Sequence, residues 1–405
     1  MYLVIVSQMR KLDNTTSKIH TAVKIEEHYK GGQTVYVLDA SRSVTVASKL
    51  LGEEKNEYIQ DIKSEYSQMR EHHKNRRASK EKISWETAKS NRQPIEWNQN
   101  IIKTPRFSGV KLFENVSLSE IRDYIDWTPF FQTWDLHGRY PNILEDTIVG
   151  KEAKRLFADA QEMLDKIIAE KWLINKAVIG IWPANAVEED IEVYTDELRD
   201  KVAAKFFTIR QQQKKKVGLP NHSLVDFIAP KESGVKDYIG GFVVTAGIGI
   251  EEHIEKFEAD HDDYNSIMLK ALADRFAEAF TELMHEKVRK EIWGYADKEN
   301  LKNEDLIKES YKGIRPAPGY PACPDHLEKP TLFKLLNAEA LTGVSLTESM
   351  AMYPTASVSG WYFAHPESKY FGVGKIEKDQ VEDYAKRKGK TVEFIEKWLG
   401  PVLNY

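Results

Sequence analysis

The sequence contains a single cysteine, Cys323, among 405 residues. One cysteine excludes an internal disulfide and any zinc site that needs several cysteines. No apolar run approaches the roughly 18 residues of a membrane-spanning helix, and the first residues lack the pattern of a secretory signal. These absences lead us to expect a cytoplasmic protein without a membrane partner.

The sequence also lacks an excess of positive charge. It has 58 lysines and arginines against 63 aspartates and glutamates, and its formal net charge is −5. A general nucleic-acid binder would show a strongly basic surface, so we expect no nucleic-acid partner. A hydrophobic share of 41% and a charged share of 30% are typical of globular proteins. A chain of this length can hold two or three domains.

Residues 1–70 predict part of an α/β unit. The run Thr34–Leu38 has strand character, and a helical pattern follows it as far as Leu51. Asp39 or Ser41 could cap that helix. A strand that leads into a helix suits ligands at the carboxyl end of a parallel sheet. One such unit cannot cover both faces of a parallel sheet, so we predict an incomplete α/β remnant.

Residues 71–108 predict the end of a charged helix followed by a linker. The stretch 70–80, REHHKNRRASK, is strongly basic, and Pro94 and Pro105 would each break a helix. No aromatic residues interrupt this basic stretch, as they would in a nucleic-acid-binding patch. We therefore interpret it as a solvated connector.

Residues 109–405 predict one large α+β domain, because strand and helix patterns do not alternate regularly. Helical patterns cover residues 117–125, 150–170, 196–213, 262–293, 303–310, 331–342 and 378–399. Strand patterns cover residues 177–182, 192–194 and 238–245. A hairpin is predicted from 356–363, through a turn, to a return strand at 369–373.

Two other patterns do not predict a site. Gly247 and Gly249 follow a strand pattern, but position 252 is Glu, so the third glycine of a nucleotide-binding loop is missing. Cys323 and His326 are two potential metal ligands without a second pair to complete a tetrahedral site. We expect no metal site and no catalytic side chain from these patterns.

Residues 313–324, GIRPAPGYPACP, form a proline-rich segment with four prolines and two glycines. Such a segment cannot be a helix or a central strand. Arg315 within it carries a planar fork of donors that suits a carboxylate. From the residues alone, a ligand-facing segment and a stiff connector whose arginine caps a helix end are equally compatible.

Asp126 stands among five aromatic residues in the stretch 124–134, YIDWTPFFQTW. It is either a solvated residue at a helix end or a carboxylate that meets a cation in an aromatic pocket. A carboxylate for an ammonium group, Arg315 for a carboxylate and aromatic surface for a heterocycle would together suit S-adenosylmethionine. The sulfonium of that ligand also favours carboxylates and π faces.

Three stretches resemble the activation domain of vitamin B12-dependent methionine synthase. They are RPAPGYPACP at 315–324, DWTPFF at 126–131 and SVSGWYF at 357–363. The resemblance extends from Thr15 to Tyr405, and residues 15–25 are similar to the last part of that family's cobalamin-binding domain. It implies a Rossmann-like remnant at 1–70 and, at 109–405, an activation domain with a mainly antiparallel twisted sheet and surrounding helices.

The resemblance implies a methyltransferase component that reactivates the synthase. S-adenosylmethionine would supply the methyl group for reductive remethylation of cob(II)alamin, and a flavodoxin-like or other flavoprotein would supply the electron. The implied cofactors are S-adenosylmethionine and cobalamin, the latter held largely by another domain or chain. The implied partners are therefore the cobalamin-bearing domains of methionine synthase and the flavoprotein.

The resemblance also implies which residues bind the cofactors. Asp126 and Arg315 would hold the methionine part of the ligand, and Ala317 would contribute a backbone contact. Tyr370 and Phe371 would lie beside the ligand, although relatives often have a second tyrosine in place of Phe371. Glu278 and Glu309 match two acids near the site. Tyr320 matches a residue at the cobalamin-facing surface, and Ala40 matches a cobalamin-contacting position.

The sequence departs from the family in what it leaves out. The homocysteine, folate and cap domains have no match, and neither does the histidine that ligates cobalt from below, since His20 and His28 lie in other contexts. We therefore expect that this chain neither makes methionine alone nor holds cobalamin tightly. The alternative interpretation is a truncated fragment, or a stand-alone S-adenosylmethionine-binding module, with no independent catalysis.

Overall fold

A computed structural model describes residues 3–6, 18–26, 28–29, 32–37, 40–52, 55–78 and 82–405. The chain divides into two compact units, one within residues 1–82 and the other within residues 83–405. Asp39, one of the two predicted helix caps, lies outside the described residues, as does the side chain of Ser41, the other.

The unit within residues 1–82 contains a two-stranded parallel sheet. Strand β1 (Leu3–Val6) pairs with strand β2 (Thr34–Val37), which confirms the strand predicted at 34–38. The predicted helix follows β2 as Ala40–Leu51, and a longer helix spans Lys55–Ala78. A short helix, Lys18–His20, continues into a π-helical turn at Thr21–Ile25. A small core joins the π-helical turn, β2 and the two longer helices, and it is formed by Ala22, Val35, Leu50, Ile62 and Tyr66.

The unit within residues 83–405 is built on a six-stranded sheet in which every pairing is antiparallel. Its strands are β3 (Gly109–Glu114), β4 (Ile174–Val187), β5 (Asp190–Tyr194), β6 (Val202–Phe207), β7 (Asp237–Ile248) and β10 (Ser357–Tyr362). The spatial order is β10-β7-β4-β5-β6, and β3 also pairs with β4. Two short strands, β8 (Ser345–Leu346) and β9 (Met352–Tyr353), form a separate ribbon. The predicted α+β class with an antiparallel sheet is confirmed.

Helices cover both faces of this sheet. They span Trp85–Ser90, Leu118–Arg122, Thr128–Thr133, Gly150–Glu170, Ile250–Ala259, Asp263–Lys287, Asn303–Ile307, Lys329–Leu336, Ala338–Thr342, Lys378–Lys388 and Val392–Leu399. The helix Asp263–Lys287, called the long helix below, falls within the pattern predicted at 262–293 and buries an apolar stripe that includes Met268, Leu272, Phe276 and Phe280. Because helices pack on both faces, β4 and β7 are buried on both sides and read as nearly continuous apolar runs.

The helix predicted at 196–213 is wrong. Residues Val202–Phe207 form β6, which pairs with β5 so that Val193 faces Ala204. The backbone N–H of Thr195 donates to the carbonyl of Lys201 at 3.0 Å and closes the connecting turn. The alanines, lysines and glutamate of this stretch favour a helix locally, but pairing with the free edge of β5 overrides that weak preference.

Two other predicted helices are each split in two. The pattern at 378–399 breaks at Gly389, whose φ of 64° is left-handed, and a new helix starts where Thr391 caps Phe394 N. The pattern at 331–342 breaks at Asn337, whose φ is 51°. Glycine and asparagine adopt this conformation at the lowest cost, so both ends are local properties of the sequence.

Candidate functional site

The proline-rich segment lies against the outer edge of β10. Ile314 and Phe363 exchange backbone hydrogen bonds at 3.0 Å, and Trp361 N donates to Pro316 O at 2.9 Å. The predicted return strand at 369–373 is therefore wrong, because the edge of β10 that it would use is already occupied. Instead, Val373 N donates to Pro321 O at 2.8 Å, so the returning chain contacts the proline-rich segment.

Gly360 in β10 allows this close approach. A Cβ atom at Gly360 would lie 2.5 Å from Pro316 O and 3.0 Å from the Phe242 ring. We expect Gly360→Ala to lower the free energy of unfolding by about 1–3 kcal/mol, the usual cost of overpacking. Urea denaturation measures this loss, and Gly400→Ala is the control because a Cβ at Gly400 meets no atom within 4 Å. Equal stability of the two variants would contradict the close contact.

A cavity of about 480 Å³ lies between the long helix, the proline-rich segment and residues 370–371. Seven of the nine residues that the sequence predicted for the site line it, namely Glu278, Glu309, Arg315, Ala317, Tyr320, Tyr370 and Phe371. The remaining lining residues were not predicted: Phe242, Pro316, Pro321, Ala322 and Val358. Three of these belong to the proline-rich motif itself and Val358 belongs to the stretch SVSGWYF, whereas no local signal distinguishes Phe242 from other strand residues.

Arg315 lies at the wall of this cavity, where its side chain is 19% exposed. Its Nη1 atom donates to the Tyr311 hydroxyl at 2.9 Å and lies 2.7 Å from Oε2 of Glu282. The backbone N–H of Arg315 donates to the Tyr370 hydroxyl at 3.0 Å. Tyr370 is thereby fixed to the same short segment, although it comes from a distant part of the chain.

Two carboxylates, Glu278 and Glu309, line the same cavity. Burial raises the pKa of each, and the nearby charge of Arg315 partly opposes that shift. Within the described part of the chain, Glu278 has no hydrogen-bond partner. A half-buried carboxylate without a partner is costly unless a cation or donor meets it, so this wall of the cavity suits a positively charged ligand group.

Asp126 lines a different cavity, of about 1140 Å³. Its Oδ1 atom accepts a hydrogen bond from Thr128 N at 2.9 Å, next to the start of the helix Thr128–Thr133. Lys308 lines this cavity, and the adjacent residue Glu309 lines the cavity of Arg315. The two cavities therefore flank one short stretch of chain, but Asp126 is not among the residues that line the smaller one.

Comparison with known proteins identifies the family. The family model described as vitamin B12 dependent methionine synthase, activation domain, matches residues 117–389, which is more than half of the chain. This chain belongs to that family. A solved structure described as the MetH reactivation domain bound to AdoHcy is 55% identical, with a TM-score of 0.77. The match covers 80% of this chain and 99% of the other.

The remaining predicted site residue of this activation-domain chain is Ala40. It begins the helix after β2, in the unit within residues 1–82.

Among the described residues, no cluster of three or more His, Cys, Asp or Glu could hold a metal ion, and no helix is long and apolar enough to cross a membrane. Cys323 is buried beside the Asp325 carbonyl, and burial raises the pKa of its thiol.

Proposed function

We propose that this activation domain binds S-adenosylmethionine in the cavity beside Arg315 and serves the reductive reactivation of methionine synthase. The observation that carries the proposal is the convergence of seven predicted binding residues on one cavity. The solved relative, which is described as bound to AdoHcy, supports the same ligand class. When bound, S-adenosylmethionine supplies the methyl group for remethylation of cob(II)alamin.

The cavity fits such a ligand in size and chemistry. Its volume of about 480 Å³ lies within the usual range of about 300–1,000 Å³ for small-molecule sites. Arg315 offers donors for the carboxylate, and Glu278 offers a carboxylate to the cationic part of the ligand. The rings of Tyr370 and Phe371 provide an apolar wall for the nucleoside.

Asp126 would join this site from the neighbouring cavity. A ligand that extends past Glu309 would reach the side where Asp126, Lys308 and Ile307 lie. There the Asp126 carboxylate would meet the ammonium group, and Arg315 would keep the carboxylate. The methionine part of the ligand would thus lie across the two cavities.

Residues 1–70 do not fit a complete cobalamin site. The parallel sheet described there has only two strands, β1 and β2. A parallel sheet needs helices over both of its faces, and one strand-helix unit cannot supply them. We therefore propose that cobalamin is held largely by another domain or chain. Ala40 is the proposed cobalamin-contacting position of the unit within residues 1–82, and Tyr320 is the proposed cobalamin-facing residue of the other unit. A flavoprotein is the proposed electron donor, and we propose no methionine synthesis by this chain alone. Residues 71–108 would act as the connector to the activation domain at 109–405.

Isothermal titration calorimetry with S-adenosylmethionine tests the proposal. We expect binding with micromolar-range affinity or weaker, and we expect Asp126→Asn to lose about 1.5–3 kcal/mol of binding free energy because it removes a charged hydrogen bond to the ammonium. Asp123→Asn is the matched control, since Asp123 is another acid that lines the larger cavity. Equal losses for the two variants would indicate a general electrostatic effect and would contradict the role of Asp126. Absence of binding by the unmodified protein would contradict the proposed function.

A further inference from the structure

A chain of hydrogen bonds lies behind the Arg315 guanidinium. Nη1 of Arg315 donates to the Tyr311 hydroxyl at 2.9 Å and to Nδ1 of His285 at 3.2 Å. Two polar groups thus accept the two hydrogens of this nitrogen. The charge of Glu282, 2.7 Å away, stabilises the same end of the guanidinium. The protein therefore satisfies Nη1 completely.

The other edge of the guanidinium is open. Among the residues that the structure describes, none accepts a hydrogen bond from Nε or Nη2 of Arg315. The side chain keeps 19% of its surface exposed at the cavity wall. These two nitrogens form the fork that binds a carboxylate with two parallel hydrogen bonds.

The Tyr311 hydroxyl also bonds to the Tyr370 hydroxyl. Because arginine can only donate, the Tyr311 oxygen accepts from Arg315, and the two hydroxyls share a hydrogen bond at 3.1 Å in which either can be the donor. Tyr370 also accepts the backbone N–H of Arg315 at 3.0 Å. When Tyr311 is the donor, both acceptor positions of the Tyr370 oxygen are occupied, and the hydrogen of Tyr370 is available to a ligand in the cavity that it lines.

Burial keeps the side chains of Tyr311 and His285 uncharged. Tyr311 is only 8% exposed, and burial raises the pKa of its phenol, so it stays neutral. His285 is fully buried, and burial together with the charges of Arg289 and Arg315 holds its pKa well below the usual value. A neutral His285 can accept at Nδ1, as the contact with Arg315 requires. Arg289 lies 4.5 Å from the centre of the Tyr311 ring and 3.6 Å from Glu282, so its positive charge lies beside both.

We propose that Tyr311 and Glu282 are positioning residues for a carboxylate-binding site formed by Arg315 and Tyr370. Three donors would converge on the carboxylate of the ligand, namely Nε and Nη2 of Arg315 and the hydroxyl of Tyr370. The inference rests on the proposed function and extends it, because it states which edge of Arg315 faces the ligand and what holds it there. Tyr311 and Glu282 do not touch the ligand themselves.

A pair of ligands that differ only in the carboxylate tests this role. S-adenosylhomocysteine carries the carboxylate, and S-adenosyl-3-thiopropylamine is the same molecule without it. By calorimetry, we expect Tyr311→Phe to weaken binding of the first ligand about tenfold and of the second by less than about twofold. Glu282→Gln should change the two affinities in the same unequal way. Because Phe keeps the ring that Arg289 contacts, the first variant retains most of the local packing.

Tyr264→Phe is the matched control, since it removes a tyrosine hydroxyl that donates to Asp159 at 2.7 Å outside the cavity. We expect it to leave both affinities unchanged. Equal weakening of the two ligands by Tyr311→Phe and by Glu282→Gln, or no weakening of either, would overturn the positioning role while leaving the proposed function intact. Failure of the unmodified protein to bind either ligand would overturn both.

Discussion

Arg315→Ala should weaken binding of S-adenosylmethionine by at least about a hundredfold. The variant loses the two hydrogen bonds of a charged fork, each of which contributes on the order of 1.5–3 kcal/mol, and about 1.4 kcal/mol corresponds to tenfold in affinity. The fold should persist, because Glu282, the buried partner of Arg315, retains Arg289 at 3.6 Å. Isothermal titration calorimetry measures the affinity, and thermal unfolding confirms that the variant is folded.

Two companion variants make this result specific. Arg315→Lys keeps the charge but not the planar fork, so we expect at least about tenfold weaker binding. Arg155→Ala removes an exposed arginine that pairs with Glu152, and we expect no change in affinity. If Arg315→Ala bound the ligand within about twofold of the unmodified protein, the assignment of this arginine to the carboxylate would be wrong.

Arg210→Met should lower the free energy of unfolding by about 3–5 kcal/mol, the usual cost of removing one partner from a buried ion pair. Arg210 is fully buried, and its guanidinium makes hydrogen bonds to both oxygens of Glu189, both oxygens of Asp226 and the Asn221 carbonyl. Methionine fills similar space but provides no donor. Two buried carboxylates would then remain, with Arg92 beside only one of them.

Urea denaturation followed by tryptophan fluorescence measures this loss. Arg155→Met is the control, because exposed pairs such as Arg155–Glu152 contribute about 0–1 kcal/mol. The destabilisation by Arg210→Met should grow as pH rises from acidic to neutral. Burial raises the pKa of Glu189 and Arg210 opposes that rise, so without Arg210 the folded state of the variant binds more protons at Glu189 and loses stability with rising pH. A loss below about 1 kcal/mol would show that the ion cluster does not stabilise the fold.

The proline-rich segment could be predicted from the sequence because its properties are local. Four prolines in residues 313–324 exclude a helix and a central strand whatever surrounds them. The long helix could also be predicted, since its apolar stripe repeats over many turns. Glu282 and His285 lie at helical spacing on the same helix, but their partners Tyr311 and Arg315 are supplied by another part of the chain. No local pattern predicts that these residues meet.

The strand errors have a different cause. Residues 202–207, VAAKFF, mix helix-favouring alanine and lysine with strand-favouring valine and phenylalanine, and they form β6 because the edge of β5 offers backbone partners that a short local pattern cannot reveal. Residues 369–373 have strand-like composition, yet the proline-rich segment already occupies the edge of β10. Strand pairing depends on which edges remain free after the rest of the chain has packed.

The composition, the proline-rich motif and the family resemblance were sufficient to determine the fold class and seven of the residues that line the cavity. Those features are local, so they survive any arrangement of the rest of the chain. Only the tertiary structure decided that Tyr311, Glu282 and His285 satisfy one edge of Arg315 and leave the other edge open. It also separated Asp126 into a neighbouring cavity. Both outcomes depend on contacts between residues far apart in the chain, which are set by packing and by the need to satisfy buried polar groups.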